Sequence, residues 1–190
     1  MHTEENNKNF KFDKATERYF EFNNALIEFH KLFNEEKKDE RAIAIIGGTF
    51  CEMALEYVLK AFFPENDKEV EKLFEFNQPL GNFSNKINLG YCLGLIDKLI
   101  KKDLDLIRKI RNKFAHDLYT SFLDPQIKSW SNELKFHEVS MMMKAPSEAT
   151  ELQIFQVGVN QIISHLRGIA SINKNEKRQI KDDLKRFLQK

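Results

Sequence analysis

The 190-residue chain predicts an all-α, multi-helix bundle. Three observations lead there. Apolar side chains recur at three- and four-residue spacing along most of the chain, the period of helices with one buried face. Glycine and proline number only 7 and 4, too few turn-formers for a sandwich or barrel of many short strands. The composition, 42% hydrophobic and 31% charged, is that of an ordinary globular chain with enough apolar mass for one core.

Residues 1–12 are polar and Asn-rich, and are expected to form a disordered N-terminal arm. From Asp13 to Lys37 the positions Tyr19, Phe22, Leu26, Phe29 and Phe33 share one helical face. Asp39 and Glu40 open a second helix that runs to about Phe63 and is stopped by Pro64. A short helix near Asp67–Phe76 ends in the turn signal Asn77 to Gly81. Ser84–Leu95 and Asp103–His116 read as further helices, and Asp124-Pro125 starts another through Leu134. Residues 135–145 predict a small β-ribbon or an irregular loop, with Met141–Met143 either an adaptable partner surface or gap-filling core. Pro146 and Ser147 begin a long helix to about Ala170. Residues 13–170 thus form a single helical domain, and a basic helix over 171–190 closes the chain.

The longest uninterrupted apolar run, near Ala42–Ile46, is far short of the ~20 residues of a spanning helix. The N-terminus lacks the apolar region of a secretory signal. Cys51 and Cys92 lie within apolar helical patterns, which predicts neither a disulfide framework nor a zinc site and suits a cytoplasmic protein. His2, His30, His116, His137 and His165 show no metal-ligand spacing, and no nucleophile motif is present. No metal, no cofactor and no membrane partner is expected.

Within the second helix the polar residues Thr49, Glu52, Glu56 and Lys60 form one narrow stripe, on a helix otherwise apolar all round. Carboxylates there need cationic partners, because unpaired buried charge is costly. On a wheel of about 100° per residue, Arg111 falls inside the apolar arc of its helix while Arg108, Asn112 and His116 lie on the rim. These positions predict an ion-pair network of Arg111 and Arg108 with Glu52 and Glu56, since guanidinium satisfies a carboxylate through two nitrogens. Gly47-Gly48 predicts close approach of a neighbouring helix.

Charge is uneven. Residues 81–120 carry eight basic and four acidic side chains, and residues 161–190 eight and three, on an otherwise acidic body. In the C-terminal stretch Lys174, Lys177, Arg178, Lys181, Lys185 and Arg186 are the candidate nucleic-acid contacts, which would confer phosphate affinity without sequence choice.

Two resemblances add to this reading. Arg41 through Glu56, Pro79 through Ile87 with Tyr91 through Ile96, and Asp103 through His116 resemble, in order, the signatures of the mannitol operon repressor family. Asp124 through Ile127 and Asn132 through Leu134 fit its downstream pattern, so the likeness spans roughly 41–170. It implies an all-helical, self-associating regulator, a homodimer acting in transcriptional control through a protein partner. No polar recognition helix follows a short turn here, so the sequence does not predict direct base reading. Separately, Arg111, Asn112 and His116 have the motif shape of the HEPN (higher eukaryote and prokaryote nucleotide-binding) helical domains. That resemblance implies a metal-independent ribonuclease in which His116 moves a proton and Arg111 stabilises a phosphorane. The two side chains sit about 140° apart on a regular helix, so they meet only if the helix breaks near Ala115 or a second chain contributes.

Overall fold

The computed structural model describes residues 14–31, 39–64 and 68–175. Among the described residues eight α-helices follow one another: α1 Lys14–Lys31, α2 Glu40–Phe62, α3 Lys68–Leu73, α4 Phe83–Cys92, α5 Lys98–His116, α6 Pro125–Asn132, α7 Phe136–Met141 and α8 Glu151–Asn175. No strand occurs among the described residues. The chain divides into two compact units, residues 1–38 and 39–190. In the first, α1 sets Phe22, Leu26 and Phe29 on its buried side while Phe20 and Ile27 are exposed. The expected arm over 1–12, the end of the first helix with Phe33, and the basic segment beyond residue 175 lie outside the described residues.

The second unit is built around α2. Asp39 caps it, accepting a hydrogen bond from the Ala42 N–H at 2.9 Å, and the left-over donors of a first turn need such a partner. Its long apolar face packs chiefly on α8, then on α5 and α4. Ile43, Ala44, Phe50, Cys51, Ala54, Leu55, Val58 and Leu59 are all buried. By length and composition α2 would also be able to cross a bilayer, although its longest unbroken apolar run is short. The burial of this face among other helices is the signature of a core helix. Small side chains let the neighbours in. A Cβ added at Gly48 would lie 2.7 Å from both Cβ and Cγ of Arg111, so α5 crosses α2 at this glycine and no other residue fits without displacement. Burial pushes the Cys51 thiol well above its ordinary range, leaving it protonated and inert. Cys92 is exposed and both cysteines are free.

From the other side the core is closed by Leu104, Ile107, Ile110 and Phe114 of α5 and by Phe155, Val159, Ile162, Ile163 and Leu166 of α8. Each such side chain contributes about 1.5–3 kcal/mol by leaving water. Phe122, in the α5–α6 connection, bridges them, with ring centroids 5.0 Å from Phe114 and 5.3 Å from Phe155.

Four boundaries differ from the sequence expectation, each for a local reason. Helix α5 starts at Lys98 rather than Asp103, because Asp97 takes the cap position and accepts from the Ile100 N–H at 2.8 Å. Helix α4 starts at Phe83, with Asn82 as its cap at 2.9 Å from the Asn85 N–H, one residue ahead of Ser84. Helix α8 starts at Glu151, not Pro146. Thr150 and Gln153 form a reciprocal capping box there, the Thr150 N–H donating to Gln153 Oε1 at 2.9 Å and the Gln153 N–H to Thr150 Oγ1 at 3.3 Å. Residues 135–145 hold no ribbon. They form α7 and then a left-handed turn at Met142, φ 52°.

The start of α7 is capped from a distance. Asp103, fully buried in the middle of α5, accepts from the N–H groups of Lys135 and Phe136 at 2.9 and 2.8 Å. Burial raises the pKa of its carboxyl, against the lowering by these two donors.

Candidate functional site

Glu52 and Glu56 lie one turn apart on α2, on the side that meets α4 and α5. Lys86 of α4 enters between them. Its Nζ lies 3.0 Å from Glu52 Oε1 and 2.8 Å from Glu56 Oε2, and its side chain is only 6% exposed. Arg111 takes the other oxygen of Glu52, Nη2 to Oε2 at 3.2 Å, and its guanidinium lies 5.8 Å from the centroid of the Phe83 ring. The other oxygen of Glu56 goes to Lys60 at 2.9 Å, and Lys60 reaches on to Glu71 of α3 at 3.0 Å. Every carboxylate of the pair therefore has two cations. Low local dielectric strengthens such contacts, and pairing of all four carboxylate oxygens offsets part of the cost of taking the charges out of water, while Arg111 Nε is buried without a hydrogen-bond partner.

Arg108 is not part of this network, which corrects the expectation that it would join Arg111. It contacts Asp105 of its own helix at 3.5 Å. Three residues before Arg111, it is rotated about 60° out of the α2–α5 seam. Lys86 is the member that sequence reasoning missed. Phe83, Lys86, Ile87 and Gly90 form the buried face of α4, so a lysine occupying an apolar-face position was the available signal.

Arg111 and His116 do not come together within one chain. Helix α5 continues to His116 without a break and is capped at Asp117, so Arg111 faces Glu52 while the His116 side chain is exposed and makes no hydrogen bond or ion pair among the described residues. Asn112 is half-buried between them in sequence and touches neither through a polar contact. The arrangement assembles no proton-transfer pair. No group of histidine, cysteine and acidic side chains among the described residues could hold a metal ion. The C-terminal candidates Lys177, Arg178, Lys181, Lys185 and Arg186 lie outside the described residues, and Lys174 belongs to the last turn of α8.

A second cluster lies at the C-terminal end of α5. The Arg41 guanidinium donates to the carbonyls of Phe114 and Asp117, the latter at 2.7 Å, while Glu40 Oε2 accepts from the Phe122 N–H at 2.8 Å. A cation at the first turn of its own helix opposes the helix dipole. Arg41 is accounted for by the carbonyl end of a different helix, where positive charge is favourable. Lys113 holds Asp117 at 3.0 Å, and that bond, with the Tyr119 N–H, keeps the Asp117 carboxyl below its ordinary pKa. The connection from 117 to 124 is thus fixed at both ends.

On the opposite side, an open groove of about 350 Å³ runs between α7 and α8. The Phe136 and His165 rings, centroids 4.9 Å apart, form part of its wall. His137, next to Phe136, is buried with neither ring nitrogen hydrogen-bonded, and burial lowers its pKa.

Comparison with known proteins places this geometry. The family model for MtlR, described as mannitol repressor, matches residues 29–179. A chain in the X-ray structure of the MtlR-HPr complex from Escherichia coli has the same fold. It is 21% identical, with a TM-score of 0.51, and the superposition covers 81% of this chain and 99% of that one. No curated protein matches the chain. The family match takes in the whole of α2 to α8, and with it the Glu52–Lys86–Arg111 network and the Arg41 clamp. The chain belongs to the mannitol repressor family.

Proposed function

We propose that this chain is a cytoplasmic regulator of transcription that works by binding another protein, and that HPr or a protein of its kind is that partner. The observation that carries the reading is the fold shared with a chain of the MtlR-HPr complex, over 81% of this chain and 99% of that one. The charge arrangement agrees with it. The α2 acids are consumed in internal ion pairs, so the network serves to hold α2, α4 and α5 together rather than to bind a substrate. A regulator that acts through protein contacts needs a rigid scaffold and an exposed surface, not a reactive pocket. Self-association into a homodimer belongs to the same reading.

Isothermal titration of the full chain with purified HPr from its own organism tests this directly. Saturable binding is expected. Absence of binding at high micromolar concentration of both proteins would overturn the choice of partner. Sedimentation of the free chain, expected at twice the monomer mass, tests the dimer.

A further inference from the structure

Glycine inside a helix is less favourable than alanine, and close packing is the usual compensation. Gly48 faces Arg111, and Gly158 faces Leu134, whose Cδ1 would lie 3.2 Å from an added Cβ. Gly168 of α8 has no such neighbour: nothing lies within 4 Å of the Cβ it lacks. It lines the open groove between α7 and α8, together with Phe136, His165, Ile169 and Ile172. Ile172 is 61% exposed. No carboxylate, ammonium or guanidinium lines the groove, so an occupant that carried charge into it would leave that charge unpaired. The groove is therefore shaped for the close approach of an uncharged, apolar surface.

We propose that residues 180–188 of this chain seat in the groove as an amphipathic helix antiparallel to α8. On a helical wheel Ile180, Leu184, Phe187 and Leu188 share an arc of about 100°, and the charged residues among them fall outside it. Helix α8 ends at Asn175, three residues beyond Ile172. Residues 176–179 then suffice for the reversal, since tight connections between antiparallel helices take about 2–5 residues. From Gln161 to Ile172 the groove runs about 16 Å along α8, and a helix over 180–188 spans about 12 Å. With Ile180 beside Ile172, the antiparallel register sets Leu184 over Gly168 and Leu188 over Ser164, large side chains above small ones. Lys177 and Arg178 would follow the carbonyl end of α8, where positive charge is favourable. Covalent linkage selects this occupant over a separate molecule, because a tether this short holds the segment at about millimolar effective concentration. The segment lies beyond residue 179, where the family match stops.

The experiment is disulfide trapping in the full chain, in a Cys92→Ser background, with Cys51 buried and out of competition. Gly168→Cys adds its side chain to open space, and circular dichroism melts confirm that each variant folds. Under oxidised glutathione, Gly168→Cys/Leu184→Cys is expected to close an intrachain disulfide at least tenfold faster than Gly168→Cys/Lys185→Cys, whose second thiol points away from the groove. Equal rates overturn the proposal. Disulfides that join two chains would make the occupant a segment of a second copy, and overturn it too. Amide exchange on the chain without added cysteines gives an independent measure. Residues 180–188 are expected to exchange at least tenfold more slowly in wild type than in Leu184→Asp/Phe187→Asp, and equal exchange in the two chains refutes the seat.

Discussion

Lys86 is the most informative residue to perturb. Its ammonium joins two carboxylates, at 3.0 and 2.8 Å, with a side chain only 6% exposed. Lys86→Met keeps most of the volume and removes the charge. Breaking a fully buried pair costs about 3–5 kcal/mol, mostly because a charge is stranded. Here the stranded acids keep other cations, Arg111 on Glu52 and Lys60 on Glu56, and their side chains are 18% and 28% exposed. The expected loss is therefore smaller, about 2–3 kcal/mol, or roughly 5–10 °C in Tm for a domain of this size. The assay is urea unfolding followed by circular dichroism, with the m-value monitored so that two-state comparison holds. The companion Glu52→Gln in the Lys86→Met background removes one of the two acids that the lost ammonium had served. It should recover part of the loss, because a neutral amide is cheaper to bury than a carboxylate short of one cation. A loss below about 0.5 kcal/mol for Lys86→Met would place the network among ordinary surface ion pairs and refute this account.

Three further outcomes are expected. Gly48→Ala sets overpacking against Arg111, about 1–3 kcal/mol, against a gain of about 1 kcal/mol in helix propensity, and a net loss measured by the same unfolding curves is expected; net stabilisation would mean that α5 yields easily. Asp103→Ala should destabilise by about 1–3 kcal/mol through loss of the cap on α7, while Asp103→Asn, which keeps an acceptor oxygen, should cost clearly less; faster amide exchange at Lys135 and Phe136 in the alanine variant checks the mechanism. His137 has a folded-state pKa lowered by burial, so the unfolded chain takes up this proton first as pH falls. Its contribution to stability is full above the unfolded value of about 6.5 and is lost as pH drops toward the folded value, by at most about 1.4 kcal/mol per pH unit. His137→Phe should flatten the Tm profile between pH 7.5 and 5, and an unchanged slope would refute the assignment.

The longer helices were legible because each buries one face, and burial writes a 3.6-residue period into the chain. The apolar identity of α2 and the inward position of Arg111 follow from the same periodicity. Boundaries were less legible where several capping residues compete. Asp97 and Asp103 are both plausible caps in one dimension, and only the distance to the Ile100 N–H separates them. The stretch after Leu134 was opaque for a related reason. Its six-residue helix α7 is too short to show a period, and its first N–H groups are satisfied by Asp103, thirty-odd residues earlier.

Local pattern thus sufficed for which residues turn inward, since that depends on spacing along a single helix. Partner choice did not follow from pattern. That Lys86 rather than Arg108 completes the Glu52–Glu56 pair, that Arg41 serves the end of α5, and that Leu118 and Tyr119 point to solvent while Phe122 does not, depend on which helices cross and where. Those crossings are set by close packing at places such as Gly48, and packing is a property of surfaces brought together from distant parts of the chain.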